Sequence, residues 1–171
     1  MEENKKLSIA QKQILKDLEN KDDNLVLKAV RDVREKGGSF VIEPLMDVYF
    51  KHKSNDIAGE ICNLFQDLKD NKLNKLISDN LISYSSNERM SAFVSALWQS
   101  SIKFEDTKVF LQIFVDGNDA TSLEALTLIQ QNADMITDSM SDDCLKLLKS
   151  EITNLSDFKK NLAIDLLEIF Q

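Results

Sequence analysis

Residues 55–68, NDIAGEICNLFQDL, contain the pattern that decides the fold of this chain. A polar start at Asn55 is followed six, nine and ten residues later by Ile61, Leu64 and Phe65. This spacing places the three apolar side chains on one face of a helix and polar residues on the other. The stretch therefore predicts a helix that begins at a polar turn and buries one side.

The same spacing occurs five times along the chain. The copies start at Asn24, Asn55, Glu88, Asp119 and Asp157. Successive starts are therefore 31, 33, 31 and 38 positions apart. Six residues after each start stand Val30, Ile61, Val94, Ala125 and Ala163. Nine residues after each start stand Val33, Leu64, Leu97, Leu128 and Leu166. Self-similarity at this period is typical of stacked helical repeats, in which each unit buries its apolar face against its neighbours.

Helix is the expected structure of every periodic stretch, because only four Gly and one Pro occur in 171 residues. A β-rich chain needs many more such residues at its turns. The sequence predicts an all-α architecture of about five helical hairpins in a single domain, residues 1–171. The predicted helices span about residues 8–19, 23–36, 40–52, 55–68, 72–84, 87–101, 105–115, 119–133, 141–153 and 156–170.

Residue types at the predicted helix ends agree with these boundaries. Residues whose side chains can cap free backbone N–H groups stand at six helix starts: Ser8, Ser39, Asn55, Asn87, Asn118 and Ser156. Gly37 and Gly38 follow the second helix, and glycine favours the left-handed conformation that often ends helices. Turn chemistry and hydrophobic period therefore predict the same elements.

The stretch from Gly38 to Leu68 resembles a HEAT repeat. The first predicted helix has an early proline, Pro44, before Leu45 and Met46. A polar turn follows at Ser54, Asn55 and Asp56. The second helix carries regularly spaced apolar residues: Ile57, Ile61, Leu64, Phe65 and Leu68. The other four units are similar to looser versions of it. The resemblance implies a HEAT-like or armadillo-like α-solenoid, a right-handed superhelix whose second helices line the concave side. Proteins of that kind mostly bind other proteins.

Acidic residues are concentrated in the second half of the chain. Residues 1–80 carry 14 Lys and Arg against 15 Asp and Glu, whereas residues 81–171 carry 7 against 14. A negative surface repels phosphate, so the composition disfavours DNA, RNA and anionic lipid, although Lys28 and Arg31 in the balanced first half leave nucleic acid open there. No apolar run is long enough to span a bilayer or form a secretory signal. The sequence predicts a cytoplasmic protein without membrane contact.

We expect no enzyme activity, metal or cofactor, because no suitable constellation of residues is present. The single histidine, His52, lies between two lysines at a predicted helix end. Cys62 and Cys144 have no histidine or second cysteine at ligand spacing. Gly37 and Gly38 lack the strand-to-helix turn and following Lys of a phosphate loop.

A polar ridge is the main candidate for a binding surface. Eight and eleven residues after each start lie Asp32 and Glu35, Asn63 and Gln66, Ala96 and Gln99, Thr127 and Gln130, and Asp165 and Glu168. A spacing of three places each pair on one helix face, and stacking aligns the pairs. The ridge is either an ordinary solvated face or a recognition surface, with the candidates Glu35, Asn63, Gln66, Gln99, Gln130, Asp165 and Glu168. Trp98 takes the place of Phe65 and Ile129 in its unit, so we expect it in the core.

Two functions from different classes are consistent with these observations. The first is a non-enzymatic protein–protein interaction module, an adaptor or scaffold that presents the ridge to another protein. The alternative is a HEAT-like enzyme or nucleic-acid handler of the DNA glycosylase or chromophore-lyase kind. A glycosylase needs a cationic groove with aromatic residues to hold a base, which the amide and carboxylate ridge does not provide.

The last predicted helix carries more apolar surface than one neighbouring helix can cover. At about 100° per residue, its apolar residues from Phe158 to Phe170 cover about two thirds of its circumference. The interface candidates are Phe158, Ile164 and Ile169. We expect the surplus to be covered by a second copy in a homodimer, by a partner protein, or by the preceding helix wrapping over it.

Overall fold

A computed structural model describes residues 7–171, which form ten α-helices and no strand. Helix accounts for 78% of the structure, so the all-α prediction is confirmed. The helices are α1 (Ile9–Leu18), α2 (Asp23–Lys36), α3 (Ile42–Lys51), α4 (Asn55–Gln66), α5 (Asn74–Leu81), α6 (Met90–Gln99), α7 (Thr107–Asp116), α8 (Asp119–Gln131), α9 (Asp138–Glu151) and α10 (Asp157–Ile169). None of the helices within residues 7–171 has the length and apolar character needed to cross a membrane.

The helices form two compact units. The N-terminal unit ends at Leu64, and the C-terminal unit is Phe65–Gln171. In the N-terminal unit α1 packs against α2 and α3. In the C-terminal unit α8 packs against α6, α7 and α10, while α7 also packs against α5 and α9. The single domain over residues 1–171 stays a prediction.

The repeated apolar positions form the core of the even-numbered helices. All five residues six positions after a start are buried, and so are all five residues at nine positions. The position at ten is less regular, because Phe65 and Ile129 are buried, Trp98 and Leu167 are half-buried and Arg34 is exposed. The inward face predicted from the spacing is therefore confirmed at the two positions that define it.

Several predicted caps hold the helix starts. Ser8 forms a reciprocal capping box with Gln11 at α1. The side chain of Asn118 accepts from the Thr121 N–H at 2.9 Å, and that of Ser156 accepts from the Lys159 N–H at 3.2 Å. These bonds satisfy donors that have no partner inside their own helix. Asn55 is the first residue of α4, whereas Asn87 lies three residues before α6.

Two predictions about the ends of helices were wrong. Ser39 does not cap α3, because residues Ser39–Val41 form a 3-10 turn and Val41 is the residue that precedes the helix. Gly37 does end α2, but with φ −73° and ψ −172° it is extended rather than left-handed. A Cβ atom at Gly37 would lie 2.5 Å from the Val33 carbonyl oxygen. Glycine is therefore required there by a close approach of the chain. Gly38 is also extended, with φ 171°.

Candidate protein-binding surfaces

The predicted recognition residues of the C-terminal unit are exposed on its even-numbered helices. Five of them, which we call the amide ridge, are Gln66, Gln99, Gln130, Asp165 and Glu168. They belong to the ends of α4, α6 and α8 and to the later turns of α10. Because α6 packs against α8 and α8 against α10, the ridge positions follow one another on adjacent helices.

A direct hydrogen bond joins the first two members of the amide ridge. Gln66 Nε2 donates to Gln99 Oε1, with 2.8 Å between the atoms. The Gln99 amide nitrogen in turn donates to the Ser95 carbonyl oxygen at 3.0 Å. These bonds fix the Gln99 amide plane and leave the carbonyl oxygen of Gln66 facing no donor within residues 7–171. Gln130 has no hydrogen bond through its amide in that part of the chain, so both its donor and its acceptor are open to a ligand.

One predicted ridge position is not polar surface at all. Ala96 is 3% exposed and belongs to the core. At the same repeat position Asp32 and Thr127 are half-buried, so this position lies at the margin of the buried face. A short apolar side chain at the margin is covered by longer neighbours, whereas a polar one reaches water. The ridge consists mainly of the residues eleven positions after each start.

In the N-terminal unit the predicted residues Glu35 and Asn63 are exposed. Asp32 lies 3.8 Å from Lys36 in an i,i+4 ion pair along α2. The sequence did not reveal an ion pair between two helices, in which Arg31 Nη2 of α2 lies 3.0 Å from Glu60 Oε1 of α4. The described part of the N-terminal unit therefore has exposed polar residues at the predicted positions.

Trp98 is not a simple core residue. It is half-buried, and its indole N–H donates to Glu124 Oε2 of α8 at 2.6 Å. The prediction that it lies in the core is therefore confirmed only in part. The difference arises because the repeat spacing shows which way a side chain points and not which polar group it meets.

Helix α10 exposes two of the three predicted interface residues. Phe158 is 44% exposed and Ile164 is 54% exposed, whereas Ile169 is half-buried. Lys159 points the other way and is 8% exposed. Its ammonium donates to the carbonyl oxygens of Val115, at 2.9 Å, and of Gly117, at the C-terminal end of α7. Burial lowers the pKa of Lys159, and the carboxylates of Asp119 and Asp116 oppose that change.

A cleft in the N-terminal unit was not predicted from the sequence. It has a volume of about 490 Å³ and lies between α1 and α3. Its apolar floor is formed by Leu15, Leu18, Phe40, Pro44 and Val48. The available signal was the spacing of Phe40, Pro44 and Val48, since steps of four residues place them on one side of the helix predicted over residues 40–52. The buried residues Leu45, Met46 and Tyr49 lie on the other side of that helix.

His52 and Cys144, two residues of chemically reactive type, contact neighbouring groups of the fold. His52 is half-buried, and its Nδ1 accepts from the Ser54 N–H at 3.2 Å. Cys144 is fully buried, which raises the pKa of its thiol to about 11 against a weaker opposing effect of Lys108. Within residues 7–171, no three His, Cys, Asp or Glu side chains are grouped so that they could hold a metal ion.

No protein-family model, curated protein sequence or solved structure matches this chain. The resemblance to HEAT repeats rests on the repeated spacing and the turn residues of the sequence, and it stays a prediction.

Proposed function

We propose that the chain is a non-enzymatic protein-binding module, an adaptor or scaffold, and that the amide ridge binds an extended segment of a partner protein. The proposal rests mainly on the exposed Gln66–Gln99 amide pair, with 2.8 Å between Nε2 and Oε1. An amide held in place by its neighbour loses little side-chain entropy when it binds, which favours recognition.

The chemistry of the ridge suits a peptide backbone. A glutamine side chain offers a carbonyl acceptor and two N–H donors, which match the N–H and C=O groups of an extended chain. Gln130 is exposed without a partner for its amide among the described residues, and Asp165 and Glu168 add negative charge on α10, which packs against α8. We propose that the segment is bound by backbone hydrogen bonds and carries Lys or Arg near the carboxylates.

We also propose that the fold is a HEAT-like right-handed superhelix. In the C-terminal unit the odd-numbered helices α5, α7 and α9 pack in sequence, and so do the even-numbered helices α6, α8 and α10. This two-layer order, with hairpin packing of α7 on α8, is what stacked helical repeats produce. Acidic residues outnumber basic ones 14 to 7 in residues 81–171, which favours a protein partner over nucleic acid.

The test replaces the three glutamines of the ridge together, as Gln66→Ala, Gln99→Ala and Gln130→Ala. We expect recovery of bound proteins from cytosol to fall while the melting temperature stays nearly unchanged, because exposed substitutions cost little stability. A matched control replaces three glutamines on other surfaces, Gln13→Ala, Gln112→Ala and Gln131→Ala. Equal recovery of every partner by both triple variants would reject the ridge as the binding surface.

A further inference from the structure

The cleft between α1 and α3 supports an inference that is separate from the amide ridge. We propose that this α1–α3 cleft binds a short segment of a partner protein in which a large apolar side chain lies beside a lysine or arginine. The volume of about 490 Å³ lies in the range of natural ligand sites. The cleft belongs to the N-terminal unit alone, so the proposal does not depend on the ridge.

The apolar floor accounts for the apolar part of the ligand. Leu15, Phe40, Pro44 and Val48 line the cleft and are half-buried, so each still presents apolar surface to water. Leu18, which is 3% exposed, forms the base. A partner side chain that enters the cleft removes this surface from water, together with its own, and that transfer favours binding.

The charged residues around the floor account for the basic part. Glu19, Glu43, Asp47 and Lys51 line the cleft. Asp47 and Lys51 neutralise each other, because their side-chain atoms lie 2.8 Å apart. Glu19 and Glu43 are exposed, and no ion pair joins either of them to another residue within 7–171. Among the described residues, the cleft therefore has two carboxylates without an ion-pair partner.

The end of α1 strengthens this negative charge. Glu19 is the residue that follows the last turn of α1, and Leu18, Glu19 and Asn20 all line the cleft. The C-terminal end of a helix carries partial negative charge from carbonyl groups that lack intrahelical donors. A carboxylate at this end is electrostatically unfavourable for α1, and a cation from a partner would relieve that cost. This arrangement favours lysine or arginine over a neutral ligand.

Two synthetic peptides of equal length and opposite charge test the proposal: acetyl-Arg-Trp-Leu-Arg-amide and acetyl-Glu-Trp-Leu-Glu-amide. Each is added to the isotope-labelled chain, and amide shifts are followed by NMR. With the Arg peptide only, we expect saturable shifts at about residues 15–20 and 40–52. The Glu19→Gln, Glu43→Gln double variant should bind it about two- to thirtyfold more weakly, as expected for the loss of two exposed charge contacts.

Three control variants test whether the Arg peptide binds in the cleft. Val48→Lys, which places a cation inside the cleft, should abolish the shifts while the helical circular dichroism is retained. Glu88→Gln in the C-terminal unit and the triple glutamine variant of the ridge should both bind the Arg peptide like the wild type. Equal binding of both peptides, or shifts that Val48→Lys leaves unchanged, would overturn the proposal. If the same amides shift with protein concentration in the absence of peptide, the cleft binds a second copy of the chain. That result would overturn the proposal as well.

Discussion

The indole N–H of Trp98 on α6 donates to a carboxylate oxygen of Glu124 on α8, with 2.6 Å between Nε1 and Oε2. Both side chains are half-buried, so water competes only weakly for this bond. Hydrogen bonds to an ionised partner are stronger than those between neutral groups. The pair therefore joins two neighbouring helices of the C-terminal unit at a defined register.

Removing the donor of this pair should destabilise the chain. Trp98→Phe keeps an aromatic ring but leaves the Glu124 carboxylate without its donor, and we expect a loss of about 1–3 kcal/mol in the free energy of unfolding. In the Trp98→Phe, Glu124→Ala double variant part of the loss should disappear, because the unpaired carboxylate is gone. Urea unfolding of all four proteins gives the coupling energy. Fully additive losses would show that the bond contributes no coupling.

Lys159 gives a second stability prediction. Its ammonium bonds to the carbonyl oxygens of Val115 and Gly117 at the end of α7. Lys159→Met keeps the apolar stem but removes both bonds, and we expect a loss of about 1–3 kcal/mol. Lys160→Met is the matched control, since Lys160 is more exposed and has only a 3.8 Å pair with Asp157. If Lys159→Met stabilised the chain instead, the cost of burying the charge would exceed the gain from its two bonds.

The repeated spacing predicted the inward face of the helices well. It identified buried residues such as Val94 and Leu128 because a helix that packs on two neighbours must bury the same positions in every unit. The capping residues Asn118 and Ser156 were also predicted correctly, since a helix cap depends only on local chemistry. These features depend on residues close together in the chain.

The candidate binding surfaces were harder to predict, because they depend on pairs of residues far apart in sequence. Gln66 and Gln99 are 33 positions apart, and the spacing places both outward without showing that their amides meet. The α1–α3 cleft is lined by residues of two helices, and the four-residue spacing of Phe40, Pro44 and Val48 indicates only one of its walls. The sequence therefore predicted which residues are exposed, and the packing determines which of them lie next to one another.

The buried thiol of Cys144 makes stability depend on pH in a defined window. Burial raises its pKa from 9.0 to about 11. The folded state thus keeps a proton that the unfolded state loses, so this contribution is complete below about pH 9 and is lost as the pH rises toward 11. We expect the stability difference between the wild type and Cys144→Ala to be about 1.4 kcal/mol smaller at pH 10 than at pH 8. Denaturant unfolding at both pH values measures it, and a difference that does not change with pH would contradict the prediction.

The final prediction concerns a homodimer through α10. Ile164 is 54% exposed, whereas its counterpart Leu126 on α8, seven residues after the start of its unit, is 4% exposed. Leu126 belongs to a helix that packs against both α6 and α10, so a similar helix packed on α10 is the natural cover for Ile164. Because large exposed apolar side chains favour association, we expect a weak dimer that forms at micromolar to higher concentration.

Charge placement around Ile164 suits two antiparallel copies of α10. Lys160 lies four residues before Ile164 and Glu168 four residues after it, and steps of four keep the three on one side of the helix. Antiparallel pairing about Ile164 therefore brings Lys160 of one copy opposite Glu168 of the second. Lys160→Glu and Glu168→Lys should each weaken the dimer, the double variant should restore it, and Ile164→Asp should abolish it. Sedimentation velocity over a concentration series measures all five proteins, and a wild-type monomer throughout the series would reject the dimer.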